Sequence, residues 1–186
     1  IKQLALKNPP PKSSVKEQIK HYSKLIKDDP HSYLYEGLGR TYYNDKQYDK
    51  AIAAFKDAHS KRPDSRNAKM LAQIYLDLKQ PTKAIPYFEE ALKRSSRRDN
   101  SRQEVQNSYA WFLATFHDKK FRNPVKALKL SKESQSVRTK PERKAYWVST
   151  LATCMAANGQ FEEAIEQIEK ALKLVKDNHK YIKDLK

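Results

Sequence analysis

Length, composition and charge already exclude several classes of protein. The chain has 186 residues, of which 38% are hydrophobic and 32% charged, and this ratio favours the thin layered core of a repeat protein over a single thick core. Three glycines argue against a turn-rich β protein, one cysteine excludes an intramolecular disulfide, and a net charge of +16 favours anionic partners.

The first thirty residues predict a spacer followed by one helix. Residues 1–13 contain NPPPKSS, and proline-rich sequence of this kind forms a stiff, extended spacer. The chain opens at Ile1, so we expect further residues upstream; a signal peptide or anchor there would make the protein periplasmic or exported, and otherwise it would be cytoplasmic. Residues 14–30 predict an N-terminal capping helix that ends at Pro30. Its apolar residues share one side, and they are Ile19, Tyr22, Leu25 and Ile26.

From residue 31 onwards the sequence repeats itself at a fixed interval. Six positions recur 33 residues apart, and the pairs are Leu38/Leu71, Gly39/Ala72, Tyr42/Tyr75, Ala51/Ala84, Phe55/Phe88 and Ala58/Ala91. Apolar residues three, four and seven positions apart share one helix face, and small side chains let two helices approach closely. Residues 44–47 form a polar turn, and Pro63 ends the second helix. The pattern therefore predicts a helix–turn–helix unit.

Two further copies of the unit follow with less regular sequences. Both contain Leu-Ala-Thr, at residues 113–115 and 151–153. The last copy is well formed and has Gly159 in its turn. The other has one extra residue in its internal turn, and Ser131 stands where the first two copies have phenylalanine. Pro124 suits the first position of its second helix.

The repeated pattern resembles the tetratricopeptide repeat (TPR), a helix–turn–helix unit of about 34 residues, in arrays of the bacterial type. The resemblance implies an all-α solenoid of about four repeats over residues 31–176, with capping helices at both ends. The expected repeats are residues 32–64, 65–98, 102–138 and 141–176. Residues 177–186 predict the C-terminal capping stub, because Tyr181, Ile182 and Leu185 share one helix face.

No catalytic or metal-binding constellation is visible in the sequence. The five histidines are scattered, and neither a Gly-rich phosphate loop nor a nucleophile motif occurs. The acidic pairs at 89–90 and 162–163 fit solvated positions in the first turns of helices. Cys154 is predicted to be a buried structural thiol, since no activating base lies nearby in the sequence. We therefore predict no enzyme activity, no metal site and no cofactor.

The TPR resemblance also implies a binding surface. In TPR proteins the first helix of each pair lines a concave groove, mainly through four positions of the repeat. Carried over to this chain, the peptide-groove residues are Tyr33, Glu36, Arg40, Tyr43, Arg66, Lys69, Gln73, Trp111, Thr115, Tyr146 and Ser149. Tyr, Trp and Arg often carry the binding energy of protein interfaces, so we expect a protein or peptide ligand along the groove. Two alternatives are that Glu36 pairs with Arg40 on the same helix, and that Trp111 turns inward into the core.

The positive charge supports a second hypothesis, that a basic solenoid binds nucleic acid or an anionic surface. The candidate patch is Lys93, Arg94, Arg97, Arg98 and Arg102. It lacks the interleaved aromatic residues that stack on bases, so nucleic acid is less favoured than a protein partner. The most apolar stretch, residues 146–157, is too short to form a transmembrane segment. Open solenoid ends also allow self-association.

Overall fold

The computed structural model describes residues 13–96, 100–136 and 139–175. Nine α-helices lie within these ranges, and no strand is found in them. The predicted closing helix at 177–186 lies outside the described residues, as does the predicted spacer apart from Ser13. The chain divides into two compact units, which meet in sequence between Ser95 and Ser96.

The first unit consists of a single helix followed by two helix hairpins. Its helices are α1 (Val15–Asp28), α2 (Ser32–Asn44), α3 (Tyr48–Lys61), α4 (Ser65–Asp77) and α5 (Pro81–Arg94). Each helix packs against the next one along the chain. The turns inside the two hairpins are three residues long, which is short enough to hold the paired helices antiparallel.

Helix α1 is held at its start by a capping box and along its length by a close contact with α2. The Ser14 hydroxyl accepts a hydrogen bond from the Glu17 backbone N–H at 3.3 Å, and the Glu17 carboxylate accepts one from the Ser14 N–H at 2.6 Å. Tyr22 is buried, and its ring lies over Gly37 of α2. A Cβ atom at Gly37 would lie only 2.4 Å from the ring carbons, so glycine is what allows the helices to meet here.

The core of the first unit is built from the small and large residues that repeat in the sequence. Ala51, Phe55, Leu71 and Ile74 form one buried cluster. The Phe55 ring lies against Gly39, where an added Cβ would be 3.0 Å from the ring. The spacing of small and large residues in the sequence therefore reflects helix packing.

The three short turns share one residue in the left-handed backbone conformation. Lys46 and Lys79 have φ angles of 58° and 56°, and Gly159 in the second unit has a φ of 78°. Each of these three residues lies seven positions after the small residue, glycine or alanine, in the first helix of its hairpin. The backbone N–H of the residue that follows it donates a hydrogen bond to a carbonyl of that first helix. Only glycine adopts this conformation without steric cost, so the two lysines are strained.

The second unit consists of two helix hairpins. Its helices are α6 (Ser101–Thr115), α7 (Pro124–Ser134), α8 (Pro141–Ala156) and α9 (Phe161–Leu174). Helix α8 packs against α6, α7 and α9. Pro124 occupies the first turn of α7, where its missing N–H leaves no hydrogen bond unmade.

The hairpin of α6 and α7 differs from the other three in its connection. Helix α6 ends at Thr115, and residues 116–123 contain a 3₁₀ turn, Lys119–Phe121. The Asn123 N–H donates to the Leu113 carbonyl at 2.9 Å and thereby satisfies the end of α6. The single extra residue in the sequence is therefore accommodated by an early helix end and an eight-residue connection.

Candidate functional site

The predicted groove residues lie on the first helix of each hairpin. We call the side chains of α2 and α4 the first-unit face and those of α6 and α8 the second-unit face. The first-unit face contains Tyr33, Glu36, Arg40, Tyr43, Arg66, Lys69 and Gln73. The second-unit face contains Trp111, Thr115, Tyr146 and Ser149.

Glu36 joins α2 to α4 through its carboxylate. Its Oε1 atom accepts hydrogen bonds from Asn67 Nδ2 at 3.3 Å and from the Ser32 hydroxyl at 3.5 Å. Arg62 Nη2 lies 3.9 Å from the same oxygen, and the Glu36 side chain is 13% exposed. Among the described residues, the charged partner of Glu36 is therefore Arg62, and the alternative pairing with Arg40 is not formed.

Tyr43 makes a second bridge between the same two helices. Its hydroxyl donates to Asp77 Oδ2 at 2.7 Å, and Gln73 Nε2 donates to Asp77 Oδ1 at 2.9 Å. Burial, followed by the hydrogen bond to Asp77, raises the pKa of Tyr43. The phenol therefore stays protonated and serves as a donor. Two of the predicted groove residues, Tyr43 and Gln73, are thus engaged in holding the face together.

The remaining side chains of the first-unit face are more open. Tyr33 is 37% exposed and stacks on His31, with ring centroids 5.6 Å apart. Arg40 and Arg66 are exposed, and Arg66 Nη2 lies 3.9 Å from Asp64 Oδ2. A surface ion pair at this distance is worth little, so the Arg66 guanidinium is available to a ligand. Lys69 is partly buried and makes contacts of its own.

The second-unit face presents two large aromatic side chains to solvent. Trp111 on α6 is 45% exposed and Tyr146 on α8 is 53% exposed, so the alternative in which Trp111 turns into the core is wrong. The Thr115 and Ser149 hydroxyls each donate at 2.8 Å to a carbonyl of their own helix. Seven large apolar side chains are exposed among the described residues, and Tyr33, Trp111 and Tyr146 are three of them.

The two helices of the second-unit face are tied together near their N-termini. Arg143 Nη1 lies 3.1 Å from Glu104 Oε1, which joins α8 to α6. Lys144 Nζ donates to the Gln135 carbonyl at 2.7 Å, and burial lowers the pKa of this lysine. Gln135 Nε2 in turn donates to the Trp147 carbonyl at 2.9 Å. These contacts fix the backbone on which Trp111 and Tyr146 stand.

The basic patch of the alternative hypothesis is only partly described by the structure. Arg97 and Arg98 lie outside the described residues, and Lys93 is exposed on α5. Arg94 Nε donates to Glu90 Oε1 at 2.9 Å, and this oxygen also lies 3.0 Å from His59 Nε2. Arg102 also interacts with other residues of the chain. At least one of the five cations is thus already paired with a carboxylate.

Cys154 is fully buried on α8, as predicted for a structural thiol. Its Sγ atom donates to the Ala110 carbonyl at 3.8 Å. Burial raises the pKa of this thiol to about 11, against a smaller opposing effect of the hydrogen bond with Ser131. In the part of the chain that the structure describes, no group of acidic, His and Cys side chains could hold a metal ion. None of the helices described there is both long and apolar enough to cross a bilayer.

Two family models match the sequence. Residues 12–91 match the model for anaphase-promoting complex, cyclosome, subunit 3, and residues 151–178 match a tetratricopeptide repeat model. The chain is a tetratricopeptide repeat protein. Its fold is the all-α TPR solenoid, in which helix hairpins follow one another along the chain. A comparison with curated protein sequences finds no match.

Solved TPR structures share this fold at low sequence identity. YrrB, described as a TPR protein with an unusual peptide-binding site, is 21% identical with a TM-score of 0.62, covering 90% of this chain and 80% of its own. MamA is 18% identical with a TM-score of 0.66, and the shares covered are 90% and 92%. PilF of Pseudomonas aeruginosa is 21% identical with a TM-score of 0.68, and the shares are 82% and 65%. At these identities the likeness establishes the fold alone.

The four repeat positions carried over from TPR proteins did not predict two residues that hold the first-unit face together. Asn67 and Asp77 bind Glu36 and Tyr43 across the helix pair, yet neither occupies one of the four positions carried over. Asp77 stands four residues after Gln73, and that spacing places two polar side chains on one helix face. The spacing would have identified Asp77. Asn67 has no comparable signal, because its partner lies on another helix.

Proposed function

We propose that this TPR protein is a non-enzymatic scaffold that binds a peptide segment of a partner protein along the first helices of its hairpins. The observation that carries the proposal is the exposure of Trp111 and Tyr146 on two packed helices, α6 and α8. Large exposed aromatics supply binding energy because a partner removes their rings from water without ordering many rotatable bonds.

The environment of these rings supports a peptide as the ligand. The hydroxyls of Thr115 and Ser149 each donate to a carbonyl of their own helix. What this face offers to a ligand is therefore mainly the two apolar rings. A segment bound in this way gains most from one or two apolar side chains that cover the rings. On the first-unit face the exposed guanidinium groups of Arg40 and Arg66 favour acidic residues in a ligand.

The two tryptophans of the chain allow a direct test of the proposal. Trp111 is 45% exposed and Trp147 only 2% exposed, so the two rings report on separate environments. Peptides selected on the wild-type protein from a random display library serve as probes. We expect a bound peptide to shift tryptophan emission to shorter wavelength and to protect it from acrylamide quenching. The Trp111→Phe variant retains only the buried ring and should lose this response.

Affinity measurements on the same peptides decide whether the face is the site. Trp111→Ala and Tyr146→Ala should each weaken binding by about tenfold or more, the size typical of an interface anchor. Val125→Ala, which removes an exposed apolar side chain from α7, is the matched control and should bind as wild type. Unchanged affinity in both aromatic variants would refute the proposal.

Ionic strength separates this proposal from charge-driven binding of nucleic acid. A protein that neutralises several phosphates loses affinity steeply and linearly on a log–log plot of affinity against salt. We expect the selected peptides to show a shallow dependence, since aromatic contacts dominate. An RNA oligonucleotide that binds more tightly than any selected peptide, and is lost in Lys93→Ala/Arg94→Ala, would favour the alternative.

A further inference from the structure

The turn between α8 and α9 contains the one asparagine–glycine pair of the sequence, Asn158 and Gly159. An asparagine side chain cyclises when the backbone nitrogen of the next residue attacks its carbonyl carbon. Glycine hinders this attack least, because it has no Cβ. Among the described residues, no atom beyond the chain neighbours of Gly159 lies within 4 Å of the place where a Cβ would stand. A ring therefore has room to form at this turn.

We propose that Asn158 is a site of self-modification, at which opening of the turn permits deamidation and deamidation then loosens the turn. The Gly159 nitrogen bonds to Asn158 Cγ, the bond from Cγ to the side-chain nitrogen breaks, and the Gly159 amide proton leaves with that nitrogen as ammonia. Water then opens the cyclic imide at either carbonyl and leaves aspartate or isoaspartate at position 158. The modification goes beyond the proposed scaffold function, because it involves none of the residues assigned to ligand binding.

Hydrogen bonds hold both reacting groups in the closed turn. The Gly159 N–H donates to the Ala156 carbonyl at 3.0 Å, so its proton is engaged. Asn158 Nδ2 donates to the Pro124 carbonyl at 2.9 Å and to the Cys154 carbonyl at 2.7 Å, which fixes the side chain against the start of α7. Cyclisation has to break these bonds, so we expect it to proceed from the locally open turn.

The product cannot make the contacts that the asparagine makes. The asparagine amide nitrogen donates two hydrogen bonds, whereas a carboxylate only accepts them. A carboxylate at position 158 would therefore face the carbonyl oxygens of Pro124 and Cys154 and repel both. Since the bond to Pro124 joins the turn to α7, the modification weakens the attachment between the two hairpins of the second unit. Isoaspartate also adds one carbon to the backbone of the turn.

The first hairpin shows that an acid is compatible with this kind of turn. Asp45 occupies the position of Asn158, one residue before the left-handed Lys46, and it is exposed. Its carboxylate accepts a hydrogen bond from Gln47 Nε2, two residues further along the chain. The cost of an acid at position 158 therefore comes from the two facing carbonyl oxygens and not from the turn conformation.

Peptide mapping by mass spectrometry measures the modification in the full chain. In urea we expect Asn158 to convert before Asn44, because the residue after Asn44 has a side chain that hinders the attack. In the folded protein the conversion of Asn158 should slow by about tenfold or more. Hydrogen exchange of the Gly159 amide should slow by the same factor, because both reactions need the open turn.

The control for the chemistry is Asn158→Gln, which retains the amide but would have to form a larger ring, and it should stay unmodified. Two outcomes would overturn the proposal. One is a folded protein that converts as fast as the chain in urea. The other is a folded protein in which Asn158 never converts although the Gly159 amide exchanges.

The consequence of the modification is tested by Asn158→Asp, which provides one of the two products directly. The amides of Gly159 and Gln160 should exchange about tenfold faster than in wild type, because two hydrogen bonds are lost. Asn44→Asp adds the same charge to an exposed residue of the first hairpin and is the matched control. Equal exchange of these amides in the two variants would show that deamidation does not loosen the turn.

Discussion

Cys154 shows how burial decides the chemistry of a single side chain. Thiol reagents attack the thiolate, and burial raises the pKa of Cys154 from 9.0 to about 11. The raised value reduces the thiolate fraction near pH 8 by about a hundredfold. We expect native protein to react with a disulfide reagent at least that much more slowly than the chain in concentrated urea. Equal rates in the two states would show that the thiol is accessible.

The sign of this pKa shift also predicts a dependence of stability on pH. Since the folded state binds the thiol proton more tightly than the unfolded state, Cys154 contributes stability that is complete below pH 9. The contribution is lost as the pH rises from 9 through about 11. Cys154→Ala should therefore flatten the fall in unfolding free energy over that range, as followed by urea denaturation at a series of pH values.

Tyr43 is the side chain whose hydrogen bond most clearly connects α2 to α4. Tyr43→Phe removes the donor to Asp77 and retains the ring, so the free energy of unfolding should fall by about 0.5–1.5 kcal/mol. Tyr146→Phe, in which the ring is 53% exposed, is the control and should leave stability nearly unchanged. Urea denaturation of the two variants measures the difference, and equal stabilities would show that the bond to Asp77 contributes nothing.

Among the turns, the left-handed lysines are a source of strain that glycine removes. Lys79 has a φ of 56° where the last hairpin has Gly159. Lys79→Gly should stabilise the protein by about 1 kcal/mol, because left-handed backbone costs a residue with a Cβ about that much. Gly159→Ala should destabilise it by a similar amount, although nothing lies near the added methyl. Thermal unfolding checks both, and a loss of stability in Lys79→Gly would contradict the strain argument.

Two glycines on α2 differ in what surrounds them. Gly37→Ala would place a Cβ 2.4 Å from the Tyr22 ring, so we expect α1 to lose its packing and the fold to lose about 1–3 kcal/mol. Gly39→Ala is the matched control. Its Cβ would lie 3.0 Å from Phe55, and the second hairpin has Ala72 at the same position. Faster proteolysis within α1 of Gly37→Ala, but not of Gly39→Ala, is the expected result.

For the chain as a whole, the sequence predicted far more of the fold than of the binding site. Repeated spacings such as Ala51 to Phe55 indicate which residues pack inside one hairpin, and they predict the hairpin helices, whereas α1 was predicted from its apolar side. The 3₁₀ turn at Lys119–Phe121 was not predicted, because the sequence shows that one residue is inserted but not which conformation the connection adopts to accommodate it. Contacts such as Glu36 with Asn67 join different hairpins, and the spacing within one repeat contains no information about them.

Ser131 limits how far the repeats of this protein can be redesigned toward one consensus sequence. An average over the four repeats would replace this serine with phenylalanine, as a defect to be repaired. Yet Ser131 is completely buried, and its hydroxyl donates to the Leu128 carbonyl at 3.0 Å. Its neighbour Cys154 is buried equally deeply. Since both side chains are fully buried, an aromatic ring at position 131 would have to displace its neighbours, and we expect it to destabilise this hairpin. Idealising this protein would therefore require its irregular hairpin to be exempted from the consensus.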